Sequence, residues 1–375
     1  MELIYKDNQK RKINKKEDIG INVANFGLYL VRVDARASDE KALGGTDDED
    51  LTLTIDHRPF PFINNLKRLK DSPAAFSGGQ LKGRTKSVYY LIPFVRGNHV
   101  ISLSPDISAM FESLQIWKTS DDLSLDKLDL PLKLRAEDGD RRPWITFAFV
   151  NIGLKSFSLD LILKRRFMDS DDVKIVIDGE ILRNHRSLKH KLWYFISSII
   201  SGEEMRDTFV ADFTPGLHYL ELWADRQPTI NQIVFNSFAS VPEDIIRDKI
   251  VKEANKINLD PNLFIRLAKK ESQFNPFAVS PANAKGIFQL TDITVKQVEH
   301  LGFTLHDPFD YAENIKAGMV YFNWLYEQYK NSTDPLRKTL AAWNYGPSHI
   351  PIEGPLDFDG LPNETKNLIN FVLDN

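Results

Sequence analysis

The period of the hydrophobic pattern changes once along the chain, and this change limits the fold that each part can adopt. From about residue 21 to residue 235, apolar and polar residues alternate, as at Leu51, Leu53 and Ile55. Such alternation is typical of half-buried β-strands. From Pro242 onwards, apolar residues recur with helical spacing, which is typical of helices with one buried face. The sequence therefore predicts a β-rich part followed by an all-helical part.

The β-rich part contains an internal repeat. Residues 50–56 match residues 172–178, residues 97–103 match residues 216–222, and residues 114–116 lie opposite residues 231–233. The three pairs keep their order and nearly the same separation, which is the signature of a duplicated unit. We predict a basic N-terminal tail at residues 1–20, then two antiparallel β-sandwich modules of jelly-roll-like topology at 21–140 and 141–236.

The helical part spans residues 241–375, and its start and stop signals divide it into separate helices. Asp260 followed by Pro261 is a typical N-cap with proline at the first helical position. The apolar spacing predicts helices at 242–256, 261–272, 291–300, 310–330, 335–344 and 363–373.

Composition excludes several classes of function. The chain of 375 residues has a net charge of −4, which gives no general basic surface for nucleic acid. It has no cysteine, which rules out disulfides and thiolate chemistry and is compatible with an extracytoplasmic setting. No apolar run reaches the ~18 residues of a membrane span, and no apolar signal core is visible at the N-terminus. No nucleotide-binding or zinc motif is present, so we expect no cofactor and no metal.

The helical part carries five ordered sequence blocks. They are Glu271-Ser272-x-Phe274-Asn275-Pro276-x-Ala278-x-Ser280, Ala284-Lys285-Gly286-Ile287-Phe288-Gln289-Leu290, Asn314-Ile315-x-Ala317-Gly318-x-x-Tyr321, Leu340-Ala341-Ala342-Trp343-Asn344-Tyr345-Gly346-Pro347 and Leu361-Pro362-x-Glu364-Thr365. Together they resemble the soluble-type (SLT) lytic transglycosylases of the lysozyme-like superfamily. The resemblance covers residues 242–373, about a third of the chain.

This resemblance implies an enzyme that cleaves the β-1,4 bond between N-acetylmuramic acid and N-acetylglucosamine in peptidoglycan glycan strands. It assigns Glu271 as the single catalytic acid and base, and the product as a 1,6-anhydro sugar. By the same resemblance, the substrate-binding residues are Ser280, Gly286, Phe288, Gln289, Trp343, Asn344 and Tyr345. Such an enzyme is expected in the periplasm, the cell envelope or outside the cell.

The residues themselves support an acid at Glu271. Protonating a glycosidic oxygen requires a carboxylic acid whose pKa is raised towards neutrality by apolar surroundings. Glu271 follows Leu267 and Ala268 and precedes Phe274, so its carboxyl group is expected to be partly desolvated.

The sequence also departs from the family pattern, and two other interpretations stay open. Trp343 stands where the family usually has tyrosine, and Leu368 stands where another tyrosine usually follows the Glu-Thr block. Asp292 is a candidate second carboxylate, which would favour a water-using muramidase or chitinase-like hydrolase. Leu368 and Tyr345 also motivate a weakly active glycan-binding scaffold. Asn283 and Thr291 are further departures.

The β-modules have no assigned ligand. Exposed aromatic rings would bind a glycan by stacking, and a protein of the cell envelope is the alternative partner. The candidates for stacking are Tyr89, Tyr90, Trp117, Trp193, Tyr194 and Trp223.

Overall fold

The computed structural model describes residues 1–63, 67–121, 123, 125–164, 170–183, 194–196 and 203–373. The chain divides into two compact units, Met1–Ser240 and Val241–Asn375. The first unit is built mainly of strands and the second of helices, so the predicted order of a β-rich part before a helical part is confirmed. Within the described ranges, none of the helices combines the length and the hydropathy that a membrane span requires.

The first unit contains 18 strands and two single-turn helices within the described residues. Strands β1 to β10 span Glu2–Asp7, Arg11–Ile13, Glu17–Val23, Gly27–Arg36, Asp50–Ile55, Arg58–Pro59, Phe76–Ser77, Thr85–Phe94, Gly97–Pro105 and Ala109–Ser120. Strands β11 to β18 span Lys127–Leu130, Leu134–Arg135, Arg142–Leu163, Asp172–Ile177, Glu180–Ile181, Phe195–Ile196, Glu203–Asp225 and Thr229–Ala239. The short helices are α1 (Glu40–Leu43) and α2 (Gly78–Leu81).

The strands form one large sheet and one small sheet. The large sheet has the order β1-β10-β4-β8-β13-β17-β14-β15, with β2, β11, β12, β16 and β18 paired off this path. The small sheet has the order β3-β9-β5-β6, with β7 on β5. Strand β8 pairs in parallel with β13, with Ile145 opposite Ser87. Strands from both predicted modules therefore belong to one continuous sheet. The alternating pattern within a single strand does not predict which other strand it pairs with.

The buried cluster shared by the large and the small sheet follows from the alternating pattern. Val31 and Val33 of β4, on the large sheet, lie in one buried cluster with Leu51 and Leu53 of β5, on the small sheet. Each such side chain contributes about 1.5–3 kcal/mol by leaving water.

The predicted basic tail at residues 1–20 is wrong, because these residues form strands. Strands β1 and β2 pair with β10, and β3 pairs with β9. Ile13 and Ile19 are buried, which anchors the segment. Arg11 forms ion pairs with Asp7, at 2.9 Å, and with Glu17. Acidic neighbours and buried apolar residues thus hold a segment whose lysines and arginines alone suggested a solvated tail.

A histidine and an aspartate make the same contacts in both halves of the first unit. His99 bonds through Nδ1 to Asp56 Oδ2 at 2.6 Å, and the Val100 N–H donates to Asp56 Oδ1 at 2.9 Å. His218 bonds through Nδ1 to Asp178 Oδ2 at 2.7 Å, in the corresponding way. Each aspartate ends its strand in the left-handed conformation, with φ of +51° and +50°. Each histidine therefore joins the end of one strand to its neighbour.

The aromatic residues proposed for stacking divide into two groups. Tyr89 and Tyr90 are only 2% and 0% exposed, so as stacking surfaces they are wrong: β8 lies inside the large sheet and both its faces are covered. Trp193 lies outside the described residues. The remaining candidates are half-buried: Trp117, Tyr194 and Trp223.

The second unit consists of six α-helices and one 3₁₀ turn in the described residues. They are α3 (Glu243–Lys256), α4 (Pro261–Ser272), α5 (Asp292–His300), α6 (Tyr311–Tyr329), α7 (Pro335–Tyr345), the turn Pro347–His349 and α8 (Asn363–Leu373). All six predicted helices are confirmed within one residue at each end. The caps explain this agreement, since Asp260 accepts from the Asn262 N–H at 3.0 Å and Thr291, Asp310 and Asp334 cap α5, α6 and α7.

The Asp56–His99 pair predicts a pH dependence of folding stability. Burial alone lowers the pKa of His99, but the hydrogen bond and charge of Asp56 outweigh it and the pKa is raised. A raised folded-state pKa adds stability that is fully present below about pH 6.5 and is lost as the pH rises through the folded-state pKa. We therefore expect Asp56→Asn to destabilise the protein more on the acid side of this range than on the alkaline side, as measured by urea titrations at about pH 6 and about pH 9.

The matched control is Glu180→Gln, which removes a carboxylate from an exposed residue of the same unit. A loss of stability in Asp56→Asn that is equal at both pH values would contradict the assigned role of the pair.

Candidate active site

Glu271 is the second-to-last residue of α4, at a point where the chain turns sharply. Leu267 and Ala268 of the same helix are fully buried, which fixes the helix in the core. Directly after the helix, Gln273 and Phe274 have φ of +55° and +61°. Two consecutive residues other than glycine in the left-handed region are uncommon, and such strain concentrates at functional sites. The turn carries the chain from the glutamate directly into the loop of residues 275–290.

The carboxyl group of Glu271 is half-buried and has a strongly shifted pKa. The pKa of Glu271 is raised to about 7, and burial is the largest cause. The charge of Glu364 also raises this pKa, whereas the hydrogen bond from Trp343 and the charge of Lys270 lower it. At neutral pH a large fraction of this residue is therefore a neutral carboxylic acid. The predicted desolvation is thus present, and the group can act as a general acid near pH 7.

Trp343 of α7 holds this carboxyl group. Its indole Nε1–H donates to Glu271 Oε1 at 2.8 Å. The ring packs edge-on against Phe288 at 6.0 Å and tilted against Tyr321 at 5.5 Å and Phe322 at 5.9 Å. Three neighbouring rings thus fix the direction of the N–H bond. Trp343 thus supplies a directed hydrogen bond to Glu271, although it lacks a phenolic hydroxyl.

The loop after the glutamate is fixed to α6 by Asn314, which is 0% exposed. Its Oδ1 accepts from the Phe288 N–H at 2.9 Å, and its Nδ2 donates to the carbonyls of Lys285 at 3.0 Å and Pro308 at 2.9 Å. Gly286 lies against this amide with φ of +78°, where a β-carbon would collide with both Asn314 and Pro308. Glycine is therefore required here by the conformation and by the close approach.

Ser272 ties the end of α4 to the same loop. Its hydroxyl donates to the carbonyl of Ile287 at 2.8 Å. On the other side, Asn344 Oδ1 accepts from the Thr365 hydroxyl at 2.6 Å, which joins α7 to α8. The glutamate therefore sits where α4, α7, α8 and the loop are joined by side-chain hydrogen bonds.

Ser280 and Gln289 use their polar groups within the loop. Ser280 Oγ accepts from the Ala284 N–H at 3.1 Å. Gln289 Nε2 donates to the carbonyls of Ala278 at 3.1 Å and Gly286 at 2.9 Å. Both side chains are half-buried and close the loop on itself, so they shape the wall next to the glutamate.

Phe288 was expected to bind substrate, and the structure places it in the core instead. Its side chain is 1% exposed and fills the space above Gly318, where a β-carbon would collide with the ring. The prediction that the Phe288 side chain contacts substrate is therefore wrong. Burying the apolar ring against α6 and Trp343 is lower in free energy than exposing it to water.

Tyr345 is the most exposed of the predicted binding residues, at 41%. Its ring stacks on His349 at a centroid distance of 4.3 Å. Leu368, which stands in place of a family tyrosine, is 2% exposed and belongs to the helical core. Because its side chain is aliphatic, it makes no hydrogen bond to Glu271.

The second carboxylate that acts on Glu271 is Glu364. Its charge raises the pKa of Glu271, whereas Asp292 is not among the groups that shift it. Asp292 is exposed and pairs with Lys285 at 3.4 Å. Within the described residues, no group of three histidine or acidic side chains could hold a metal ion.

Sequence reasoning missed the roles of Ser272, Asn314, Glu364 and Thr365, although each lies in one of the quoted blocks. The sequence shows these residue types at fixed positions within the blocks. It does not show which groups they hydrogen-bond, since Asn314 accepts from the N–H of Phe288, 26 residues earlier in the chain.

The helical unit is similar in sequence to a known domain family. Residues 248–352 match the family model described as the transglycosylase SLT domain. This match covers most of the helical unit.

Relatives of the SLT domain include two named membrane-bound lytic murein transglycosylase F. The one from Desulfosudis oleivorans is 35% identical over 107 residues, covering 28% of this chain and 22% of its own. The one from Nitrosospira multiformis is 31% identical over 124 residues, covering 32% of this chain and 24% of its own. The chain thus spans about a fifth to a quarter of the length of these relatives.

Among solved structures, an inactive mutant of lytic transglycosylase Slt from Pseudomonas aeruginosa is 24% identical. That alignment has a TM-score of 0.31 and covers 34% of this chain and 22% of the other.

The contact between Gly286 and Asn314 predicts a specific loss of stability. Gly286→Ala adds a β-carbon that must displace the Asn314 amide, so we expect a loss of at least about 2 kcal/mol in the free energy of unfolding. Gly302→Ala is the matched control, because Gly302 has φ of +90° but a β-carbon there would meet no atom within 4 Å. Urea denaturation of both variants separates the collision from the strain at positive φ. Equal losses in the two variants would contradict the role given to Asn314.

Proposed function

We propose that this protein is a lytic transglycosylase that cleaves the β-1,4 bond between N-acetylmuramic acid and N-acetylglucosamine in peptidoglycan. The observation that carries the proposal is the Glu271 carboxyl group, half-buried, held by Trp343 and with a pKa of about 7, within an SLT domain.

One carboxyl group suffices for this reaction. Glu271 first donates its proton to the glycosidic oxygen, and the bond from C1 of the muramic acid to that oxygen breaks. The resulting carboxylate then takes the proton from the C6 hydroxyl of the same sugar, whose oxygen forms the new bond to C1. The proton returns to Glu271, and the product is a 1,6-anhydro sugar. Because the sugar's own hydroxyl is the nucleophile, no second carboxylate is needed to activate water, unlike in hydrolases.

The remaining predicted site residues are assigned as follows. Tyr345 offers exposed aromatic surface for contact with a sugar ring, and Asn344 holds α7 against α8 behind it. Ser280, Gly286 and Gln289 shape the loop that forms the adjacent wall and act on the substrate through that loop's backbone.

A hydrolase is the second candidate, and Glu364 is the observation that favours it. The residue is exposed, and its charge reaches Glu271. A water held by Glu364 would give free reducing-end muramic acid instead of the anhydro sugar. A glycan-binding scaffold protein that does not cleave peptidoglycan is the third candidate. It requires that substitution of Glu271 leaves the cell wall material unchanged.

The activity test is digestion of purified peptidoglycan followed by mass spectrometry of the products. We expect 1,6-anhydro-muropeptides from the parent protein and at least a ~1,000-fold loss of rate in Glu271→Gln, because the amide cannot donate and accept the proton in turn. Glu299→Gln, an exposed carboxylate on α5, is the control and should keep full activity.

Each alternative has its own outcome in this experiment. Reducing-end muramic acid that disappears in Glu364→Gln would establish the hydrolase and overturn the transglycosylase. An inactive parent protein would favour the scaffold.

The Trp343 hydrogen bond predicts a shift in the pH profile. This bond favours the ionised form and lowers the pKa of Glu271. Trp343→Phe keeps an aromatic ring but loses the donor, so the pKa of Glu271 rises. Since the acid must be protonated to start the reaction, the loss of activity on the alkaline side should move to higher pH. The measurement is kcat/KM against pH; an alkaline limb that stays in place in Trp343→Phe would contradict this role.

We propose that the protein acts in the cell envelope, where its substrate lies. Fractionation of the producing cells tests this, and recovery of the protein with the cytoplasmic fraction would overturn it. Glycan or envelope-protein binding by the first unit stays a prediction. Of the six aromatic residues named as candidates, Trp117, Tyr194 and Trp223 are described and keep some exposed area.

We also propose that residues 21–140 and 141–236 are two copies of one jelly-roll-like module. Equivalent pairing supports this: Ile21 pairs with His99 as Phe149 pairs with His218, and Ile55 pairs with Ile101 as Ile177 pairs with Leu220. A crystal structure in which these strand orders differ between the two halves would overturn the duplication.

A further inference from the structure

The first unit contains a polar cleft that none of the proposed activities uses. It has a volume of about 340 Å³ and lies where the end of α2, the turn before β13 and the residue after β17 meet. Its lining includes four cationic side chains, from Lys82, Arg84, Arg142 and Arg226, and two carboxylates. The positive charges therefore exceed the negative ones.

Arg142 is the unusual member of this group. It is 1% exposed, and its guanidinium donates only to main-chain carbonyls, of Gly139 at 3.1 Å and of Glu137. Its Nε–H is buried without a hydrogen-bond partner. Within the part of the chain that the structure describes, no carboxylate lies within ion-pair distance of it. A buried cation normally has a counter-charge, because removing it from water is costly.

Two further cations at the cleft lack a counter-charge among the described residues. Arg84 donates to the carbonyls of Asp138 and, at 3.2 Å, of Lys82, and has no ion pair. Gly139 permits this, because a β-carbon there would collide with the Arg84 side chain. Lys82 is exposed and its ammonium group has no protein partner in the described ranges.

The carboxylates of the cleft are already engaged. Arg226 pairs with Asp140 at 3.2 Å and with Asp138 at 3.8 Å. Lys82, Arg84 and Arg142 are thus the cations of the cleft that have no ion pair of their own among the described residues. Burial and, next, the charge of Arg84 lower the pKa of Arg142, and the more distant charges of Glu137, Asp138 and Asp225 only partly oppose this.

We propose that this cleft binds an oxyanion that belongs to a small molecule or to a polymer segment. The oxyanion is either a carboxylate or a phosphate. Guanidinium groups bind both anions through paired N–H donors, and such an anion would supply the counter-charge that Lys82, Arg84 and Arg142 lack. With a volume of about 340 Å³, the cleft also has room for a polar group larger than the anion itself. The proposal is independent of the cleavage activity.

The test is isothermal titration calorimetry of the full chain with two probes, inorganic phosphate and the dipeptide D-alanyl-D-alanine. Sodium chloride at matched ionic strength is the reference. We expect saturable binding of at least one probe above the chloride reference, and the stronger probe identifies the source as phosphate or carboxylate. In Lys82→Ala/Arg84→Ala the affinity should fall at least ~10-fold, because two of the three unbalanced charges are gone.

Two further variants keep the test decisive. Lys82→Glu reverses a charge whose side chain makes no contact that folding needs, and it should weaken binding without changing the melting temperature. Lys155→Ala removes an exposed lysine elsewhere in the same unit and should bind like the parent protein. Binding that is equal in Lys82→Glu and Lys155→Ala, or no heat beyond that of chloride with either probe, would overturn the proposal.

Discussion

The carboxamide of Asn314 is the constraint on which the helical site depends. A fully buried amide must satisfy its donors and acceptor inside the protein, and Asn314 does so only with the backbone of the loop after Glu271 and of the segment before α6. Those bonds set the path of the loop, and the path brings Gly286 against the amide and Phe288 under Trp343. Trp343 in turn aims its N–H at the glutamate. A chain of contacts thus connects one buried amide to the orientation of the acid.

The first unit is stabilised by a different interaction, an aspartate–histidine pair that occurs once in each half. In each half an aspartate at a strand end binds a histidine on the neighbouring strand, and the histidine's other nitrogen bonds to a backbone carbonyl, of Val95 or of Thr214, at 2.8 Å. The two histidines look scattered in the sequence but hold equivalent corners of the fold. The same unit also places Lys82, Arg84 and Arg142 around one cleft, where none of the three has an ion pair among the described residues.

How far the sequence predicts this protein depends on the range of the interactions. Helix ends at Asp260 and Thr291 follow from local caps, and strands such as Asp50–Ile55 follow from alternation, so both were predictable. The parallel pairing of β8 with β13 joins residues far apart in the chain and has no local signal. The desolvation of Glu271 was predictable because its apolar neighbours in sequence, Leu267, Ala268 and Phe274, are buried around it. Phe288 was not, because a ring in a loop block can face substrate or core, and only the position of Gly318 decides between them.

The hydrogen bond between Trp343 and Glu271 has a consequence for how protons move. An indole N–H donates but cannot accept, whereas a tyrosine hydroxyl does both. A tyrosine beside the acid can therefore pass a proton onwards through its oxygen, but Trp343 ends the hydrogen-bond chain at the carboxylate. Protons must therefore reach or leave Glu271 by a route that does not pass through Trp343.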